Sequence, residues 1–237
     1  MTKIHLGYIL PNFFTALSAF FGVMSIIASS QGKFEKAFIY IVLSLIADGL
    51  DGRLARLTNT TSKFGIEFDS LADAVAFGVA PAMMLFFADG TYYGKLGALV
   101  SGLFVVFGLI RLARFNVTTT TLDSSFFIGL PIPTAAVVLS SWILIYKKYS
   151  FDFLGPFLLF LALFLGILMV SNFRYPSFKK INFNKNVAFK ILVVIILVAS
   201  LIYLYPVESI AIILSIYVLY GFVRGIYNYW KIYKHKL

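Results

Sequence analysis

Residues 48–73 read DGLDGRLARLTNTTSKFGIEFDSLAD. Apolar sequence presses on this polar stretch from both sides. FEKAFIYIVLSLIA precedes it at 34–47 and AVAFGVAPAMMLFFA follows it at 74–88. A membrane-spanning helix needs about 20 mostly apolar residues, so two such helices are predicted, over 34–57 and 66–88. The polar break at 58–63 joins them as a hairpin. Asp48 and Asp51 stand three residues apart, and Asp69 and Asp73 four apart, so each pair shares one helix face. In an antiparallel hairpin, residues at equal depth have position numbers with a constant sum. Asp48 with Asp73 and Asp51 with Asp69 give nearly the same sum. All four carboxylates are therefore expected at one level, ~15 Å from the turn at 1.5 Å rise per residue.

The rest of the chain agrees with a membrane reading. Of 237 residues, 60% are hydrophobic and only 13% charged, and mean hydropathy is +0.92. Soluble domains are about half apolar and roughly a quarter charged, which excludes a soluble enzyme, a disordered chain and a collagen. Eight windows qualify as spans: 9–29, 34–57, 66–88, 93–116, 131–147, 153–171, 187–204 and 207–228. The expected fold is an all-α polytopic bundle of about eight transmembrane helices, forming one membrane domain over 1–237. The first window is read as a retained helix and not a cleaved signal, since its apolar run is long and Lys3 is a weak positive start.

With both termini cytoplasmic, the outer loops keep Lys33, Lys36, Lys95, Lys147 and Lys148, five of the twenty Lys and Arg, and the inside holds the other fifteen. That is the bias the positive-inside rule demands. The net charge of +10 then points to anionic lipid headgroups and not to nucleic acid. The absence of cysteine removes disulfides and thiolate chemistry. Small residues line up at Gly94, Ala98 and Gly102 and again at Ala72, Ala76 and Ala80, spacings that let helices approach closely, whether inside the bundle or between two copies.

Carboxylates in a bilayer mark a functional site by default, at roughly 2.5–3.5 kcal/mol each in mid-membrane. Two at about 4 Å repel by ~4 kcal/mol at an effective dielectric of 20. Either some are protonated or cations sit among them. Oxygen-only ligands suit Mg2+, Mn2+ or Ca2+, and two divalent ions would balance four negative charges. Salt bridges to Arg53 and Arg56 are the alternative, but two arginines cannot neutralise four carboxylates. Gly49, Gly52, Ala55, Gly65 and Ala72 leave space around the acids, and Arg56 offers a fork for a phosphate. Carboxylates, divalent cations, space and one arginine describe a site for a pyrophosphate.

Residues 48–73 match D-x2-D-G-x2-A-R-x8-G-x3-D-x3-D at every position, a pattern that resembles the signature of the CDP-alcohol phosphatidyltransferases. LPNFFTALSAFFG at 10–22, FDSLADAVAFGVAPA at 68–82, RLARFN at 111–116, GLPIPTAA at 129–136 and MVSNFRYPSFK at 169–179 resemble the branch that uses serine as acceptor. The resemblance covers roughly the first three quarters of the chain. It implies a catalytic core over 1–180, with an additional helix pair over 187–237. It implies transfer of the phosphatidyl group from CDP-diacylglycerol, or its ether-lipid analogue, to L-serine, with release of CMP. It implies that Asp48, Asp51, Asp69 and Asp73 hold Mg2+ or Mn2+, two per site, with Asp73 also the general base. Asn12, Thr15, Gly52, Ala55, Arg56 and Gly65 would contact the nucleotide and its diphosphate. Arg111, Arg114 and Arg174 are candidate acceptor contacts, with Lys179 beside them, although arginine at a helix end also suits the helix dipole. A homodimer with its site at the cytoplasmic face of the cell membrane is implied as well.

Rival readings remain at this point. Glycerol phosphate or inositol phosphate could be the acceptor, with Arg111 and Arg114 serving the extra phosphate. A membrane prenyltransferase would show a second Asp-rich motif, whereas Asp123, Asp152 and Glu208 are isolated. A cation transporter would show a counterpart of 48–73 in the second half. His5 and His235, near the termini, are read as interfacial residues.

Overall fold

The computed structural model describes residues 6–58, 62–118, 126–149, 154–176 and 185–234. Lys3, His5, Asp123, Asp152, Lys179 and His235 lie outside the described residues. Among the described residues all eight windows form helices: α1 Leu6–Ser30, α2 Phe34–Leu57, α3 Lys63–Gly90, α4 Lys95–Thr118, α5 Ile132–Tyr149, α6 Leu154–Val170, α7 Lys185–Leu204 and α8 Pro206–Lys234. Four stretches are long and apolar enough to cross a membrane by length and composition, namely Ile9–Ser30, Lys63–Gly90, Lys95–Val117 and Pro206–Lys231. The charges of α2 and the brevity of α6 keep those two outside that group. Exposed Ile9, Phe13 and Phe20 on α1 and Val194, Ile195, Ile196 and Leu197 on α7 give the bundle an apolar outer surface, which suits lipid.

One feature departs from an all-helical chain. Phe126–Ile128 (β1) and Arg174–Pro176 (β2) form a two-stranded antiparallel ribbon, with Phe127 opposite Tyr175 and Ile128 opposite Arg174. The sequence offers only polar breaks around 117–129 and 172–186, and three-residue strands are too short to show an alternating pattern.

The packing centre is α5, whose Ile132, Leu139 and Ile143 are fully buried beside Phe77, Phe104, Leu158 and Leu165. The first two helices form the platform for the site. A tight turn at Gly32, with φ of +71°, sends α2 back along α1, a backbone conformation that favours glycine. Buried serines then pin the pair, Ser25 Oγ donating to the Ala37 carbonyl at 2.9 Å and Ser44 Oγ to the Ser18 carbonyl at 2.8 Å. α1 also packs on α3, and closely: a Cβ added at Gly22 would sit 2.7 Å from Ala76 Cα. The line Ala72, Ala76 and Ala80 is thereby used inside the bundle, all three being buried. Gly94 and Gly102 have open space where a side chain would project.

α3 is not uniform. Ala74–Val79 and Phe86–Gly90 wind as wider π-helical turns flanking Ala80–Leu85. Pro81, which supplies no backbone N–H and crowds the preceding turn, follows the first wide turn, and Asp73 immediately precedes it. Such turns recur beside functional groups.

The Gly22–Ala76 contact gives a test. Gly22→Ala forces a methyl into backbone and is expected to cost about 1–3 kcal/mol of stability, as overpacking does. The thermal midpoint in detergent should fall by several degrees. Gly49→Ala, where nothing lies within 4 Å, should leave it unchanged or higher.

Candidate active site

The hairpin places its acids together as their spacing requires. Asp48, Asp51 and Asp69 each bring a carboxylate oxygen within 4.8 Å of the others. Asp48 also lies close to the carboxylates of both Asp69 and Asp73. Asp51 is buried at 5% exposure. It is oriented by α1, where Thr15 Oγ1 donates to Asp51 Oδ2 at 2.6 Å while also lying 3.2 Å from the Pro11 carbonyl. Asp73 Oδ1 is buried and has no hydrogen-bond partner among the described residues. A buried carboxylate oxygen left unpaired is costly, so this atom marks a position prepared for something the chain does not supply.

The arginine alternative fails on geometry. Among the described residues the ion pair formed is Lys148–Glu208 at 2.6 Å, and neither Arg53 nor Arg56 bridges to an aspartate. Three clustered carboxylates and a fourth with an orphan oxygen fit hard divalent cations, because the donors are all oxygen. Asp48, Asp51 and Asp69 could hold a metal ion.

Beside the acids opens a cavity of about 190 Å3, lined by Asp51, Asp69, Pro11, Asn12, Thr15, Gly52, Ala55, Arg56, Ser62, Gly65 and Ile66. All six positions expected around the nucleotide therefore share one wall with two of the acids. The small residues matter here. A Cβ at Gly65 would meet Ser62 Oγ at 3.2 Å and Asn12 Oδ1 at 3.5 Å, and one at Gly52 would stand 3.7 Å from the Arg56 guanidinium. Ser62 is the member that the sequence reading missed. It caps α3, its side chain accepting from the Gly65 N–H at 3.0 Å. A serine three residues ahead of Gly65 at a helix start is a recognisable N-cap signal, hidden in a stretch read only as a polar break.

The three candidate acceptor arginines separate. Arg111 is buried at 7% exposure, lies close enough to Asp73 and Asp48 to feel their charge, and stacks its guanidinium 5.1 Å over the Phe115 ring. No hydrogen bond holds it among the described residues. Arg114, one turn later, is engaged by the backbone. Its Nη1 donates to the Val170 carbonyl at 2.9 Å, and its Nη2 to the Met169, Ser171 and Ile128 carbonyls at 3.0–3.2 Å. It ties the end of α4 to the end of α6 and to β1. Arg174 is exposed on β2 and lines a different recess, of about 500 Å3, with Asn172, Asn228, Tyr229 and Lys231. The structure thus brings Arg111 to the acids and leaves Arg174 out of their cavity.

A model of the family described as CDP-alcohol phosphatidyltransferase matches residues 8–170. Over 227 residues the chain is 50% identical to the CDP-diacylglycerol--serine O-phosphatidyltransferase of Helicobacter pylori (strain J99), covering 95% of this chain and 94% of that protein. It is 33% identical over 218 residues to the protein of the same name from Methanocaldococcus jannaschii, covering 92% and 94%. It is 37% identical over 171 residues to the archaetidylserine synthase of Methanothermobacter thermautotrophicus, covering 70% and 69%.

The Thr15–Asp51 bond can be tested through the metal. Thr15→Val removes a hydrogen bond to a charged group, worth about 1.5–3 kcal/mol. The Mn2+ concentration that half-saturates the metal-induced rise in thermal midpoint should increase about tenfold or more. Thr15→Ser, which keeps the hydroxyl, should stay near the native value. An unchanged half-point in Thr15→Val would mean that Asp51 needs no anchor from α1.

Proposed function

This chain belongs to the CDP-alcohol phosphatidyltransferases, and from that premise we propose that it transfers the phosphatidyl group of CDP-diacylglycerol to the hydroxyl of L-serine, forming phosphatidylserine and CMP. The observation that carries the reading is the convergence of Asp48, Asp51 and Asp69 beside a cavity that also holds Asn12, Thr15, Gly52, Ala55, Arg56 and Gly65. Identity of 50% across nearly the whole length of a relative named for serine favours that acceptor over glycerol phosphate or inositol phosphate.

In this mechanism Asp48, Asp51, Asp69 and Asp73 would hold divalent cations, Mg2+ or Mn2+, two per site by charge balance. Those ions, when bound, offset negative charge on the diphosphate. The chain's own groups do the rest. Asn12 and Thr15 on α1 and the small positions Gly52, Ala55 and Gly65 admit the nucleotide, and Arg56 faces its diphosphate. Arg111 holds the serine carboxylate, the one candidate arginine that is both buried and beside Asp73. Arg114 acts in structure, its donors spent on carbonyls. The carboxylate of Asp73 takes the proton of the serine hydroxyl as that oxygen attacks the phosphorus carrying diacylglycerol. The bond from that phosphorus to the bridging oxygen breaks, and CMP leaves with the bridging oxygen.

The same reading places eight helices across the cell membrane, both termini and the site at the cytoplasmic face, and two copies in a homodimer. Residues 1–180 form the catalytic core and 187–237 an added helix pair. The lipid chains are ester- or ether-linked with equal fit to an apolar surface.

CMP release by the purified protein in detergent tests this. CDP-diacylglycerol and Mg2+ or Mn2+ would be supplied with L-serine, glycerol phosphate or inositol phosphate in separate reactions. Release is expected with serine alone, lost to chelator, and reduced at least ~100-fold in Asp73→Asn, as loss of a general base commonly does. Release with a different acceptor would retain the site and replace serine. No release with any acceptor would remove the transferase reading.

A further inference from the structure

The last helix lies beyond the family match, which ends at residue 170, yet it is fitted to the catalytic core with little tolerance. On α8, Gly221 and Gly225 are one turn apart and face Tyr175 of β2 and Phe173 just before it. A Cβ at Gly221 would lie 2.0 Å from Tyr175 Cε1, and one at Gly225 would lie 2.4 Å from Phe173 Cδ1. Tyr175 is fully buried and packs its ring 5.6 Å from that of Tyr217. Phe222, between the two glycines, sets its ring edge-on against Phe173 and against Phe164 of α6. The rings of Tyr175 in β2 and of Phe173 just before it are therefore seated in a groove that only hydrogen side chains leave open.

The ribbon passes this contact on. Gly129 N–H donates to the Phe173 carbonyl at 2.8 Å. At Gly129 φ is +75°, and a Cβ there would stand 2.5 Å from Arg114 Nη2. Arg114 in turn is bound to the Ile128 carbonyl of β1 and to three carbonyls at the end of α6. The end of α4 is fixed from the other side as well, where the Asn116 amide and the Ser70 hydroxyl meet at 2.9 Å, between Asp69 and Asp73 in sequence. Arg111 stands one turn before Arg114 and has no hydrogen bond of its own among the described residues, so its place beside Asp73 depends on where this helix end is held.

We propose that α8 is a positioning element for the acceptor half of the site: Gly221 and Gly225 seat Tyr175 and Phe173, and through the β1–β2 ribbon and Arg114 they set the position of Arg111 relative to Asp73. The inference rests on the reading of Arg111 as the group that holds the serine carboxylate. None of the residues that line the nucleotide cavity on α1, α2 and the start of α3 is among those that form this brace. Disturbing α8 is therefore a perturbation of acceptor binding, with donor binding left in place.

Steady-state kinetics on full-length protein in detergent separate the two halves. Gly221→Ala pushes a methyl into the Tyr175 ring, and Tyr175→Leu empties the groove without intrusion. Each is expected to raise the serine KM about five- to tenfold, with the CDP-diacylglycerol KM and kcat within about twofold of native, the pattern of lost acceptor binding. The double variant, with leucine making room for the methyl, should have a lower serine KM than either single one, as contacting residues couple. An unchanged serine KM in both single variants would overturn the inference, as would a loss shared by both substrates or a double variant no better than its worse parent. A native protein that uses no serine would instead overturn the proposed function, and the native reaction alone reveals that outcome.

Discussion

Four carboxylates are crowded into one level of an apolar bundle, and the surrounding structure is organised by the need to keep them there. Left alone in a low-dielectric slab they would repel each other and resist burial, and no arginine or lysine among the described residues pairs with them. The hairpin of α2 and α3 brings them together, and α1 orients one of them: it packs on both helices, donates Thr15 to Asp51 and approaches α3 so closely at Gly22 that a methyl would collide with Ala76. The acids stay in place through packing and one directed hydrogen bond, and Asp48, Asp51 and Asp69 keep oxygens that could hold a metal ion.

The site is asymmetric in how it is supported. The cavity beside the acids is local: its wall comes from residues 11–15, 51–56 and 62–69, which the α1–α2 turn and the hairpin already bring near one another. The surroundings of Arg111 are assembled over long distances in sequence, with Arg114 on the same helix bound to carbonyls of β1 and of the end of α6. In the proposed function the local wall takes the nucleotide and the remote assembly takes the acceptor.

That asymmetry also explains what could be read from the amino-acid order. The eight helices and the convergence of Asp48, Asp51, Asp69 and Asp73 follow from hydropathy windows and helical periodicity, which are local properties. Asn12, Thr15, Gly52, Ala55, Arg56 and Gly65 were legible through a spaced motif and a resemblance, and they do line one cavity. The ribbon was not legible, because three-residue strands at 126–128 and 174–176 leave no periodic trace. Nor was the division of labour between Arg111 and Arg114. Both are arginines at the end of one helix, and only the carbonyls of α6 and β1, supplied from residues 128 and 169–171, distinguish a clamp from a free guanidinium. The fit of Tyr175 to Gly221 depends on a contact between segments more than forty residues apart, and a lone glycine in an apolar helix gives no hint of which ring it receives.

A divalent-cation site formed by the four aspartates is tested by counting bound Mn2+ with electron paramagnetic resonance on the purified protein in detergent. Two Mn2+ ions per chain are expected in the native protein in the presence of CDP-diacylglycerol, with binding lost in Asp48→Asn and in Asp69→Asn while the variants retain their helix content. Native stoichiometry in both variants, or no bound Mn2+ in the native protein, would contradict it.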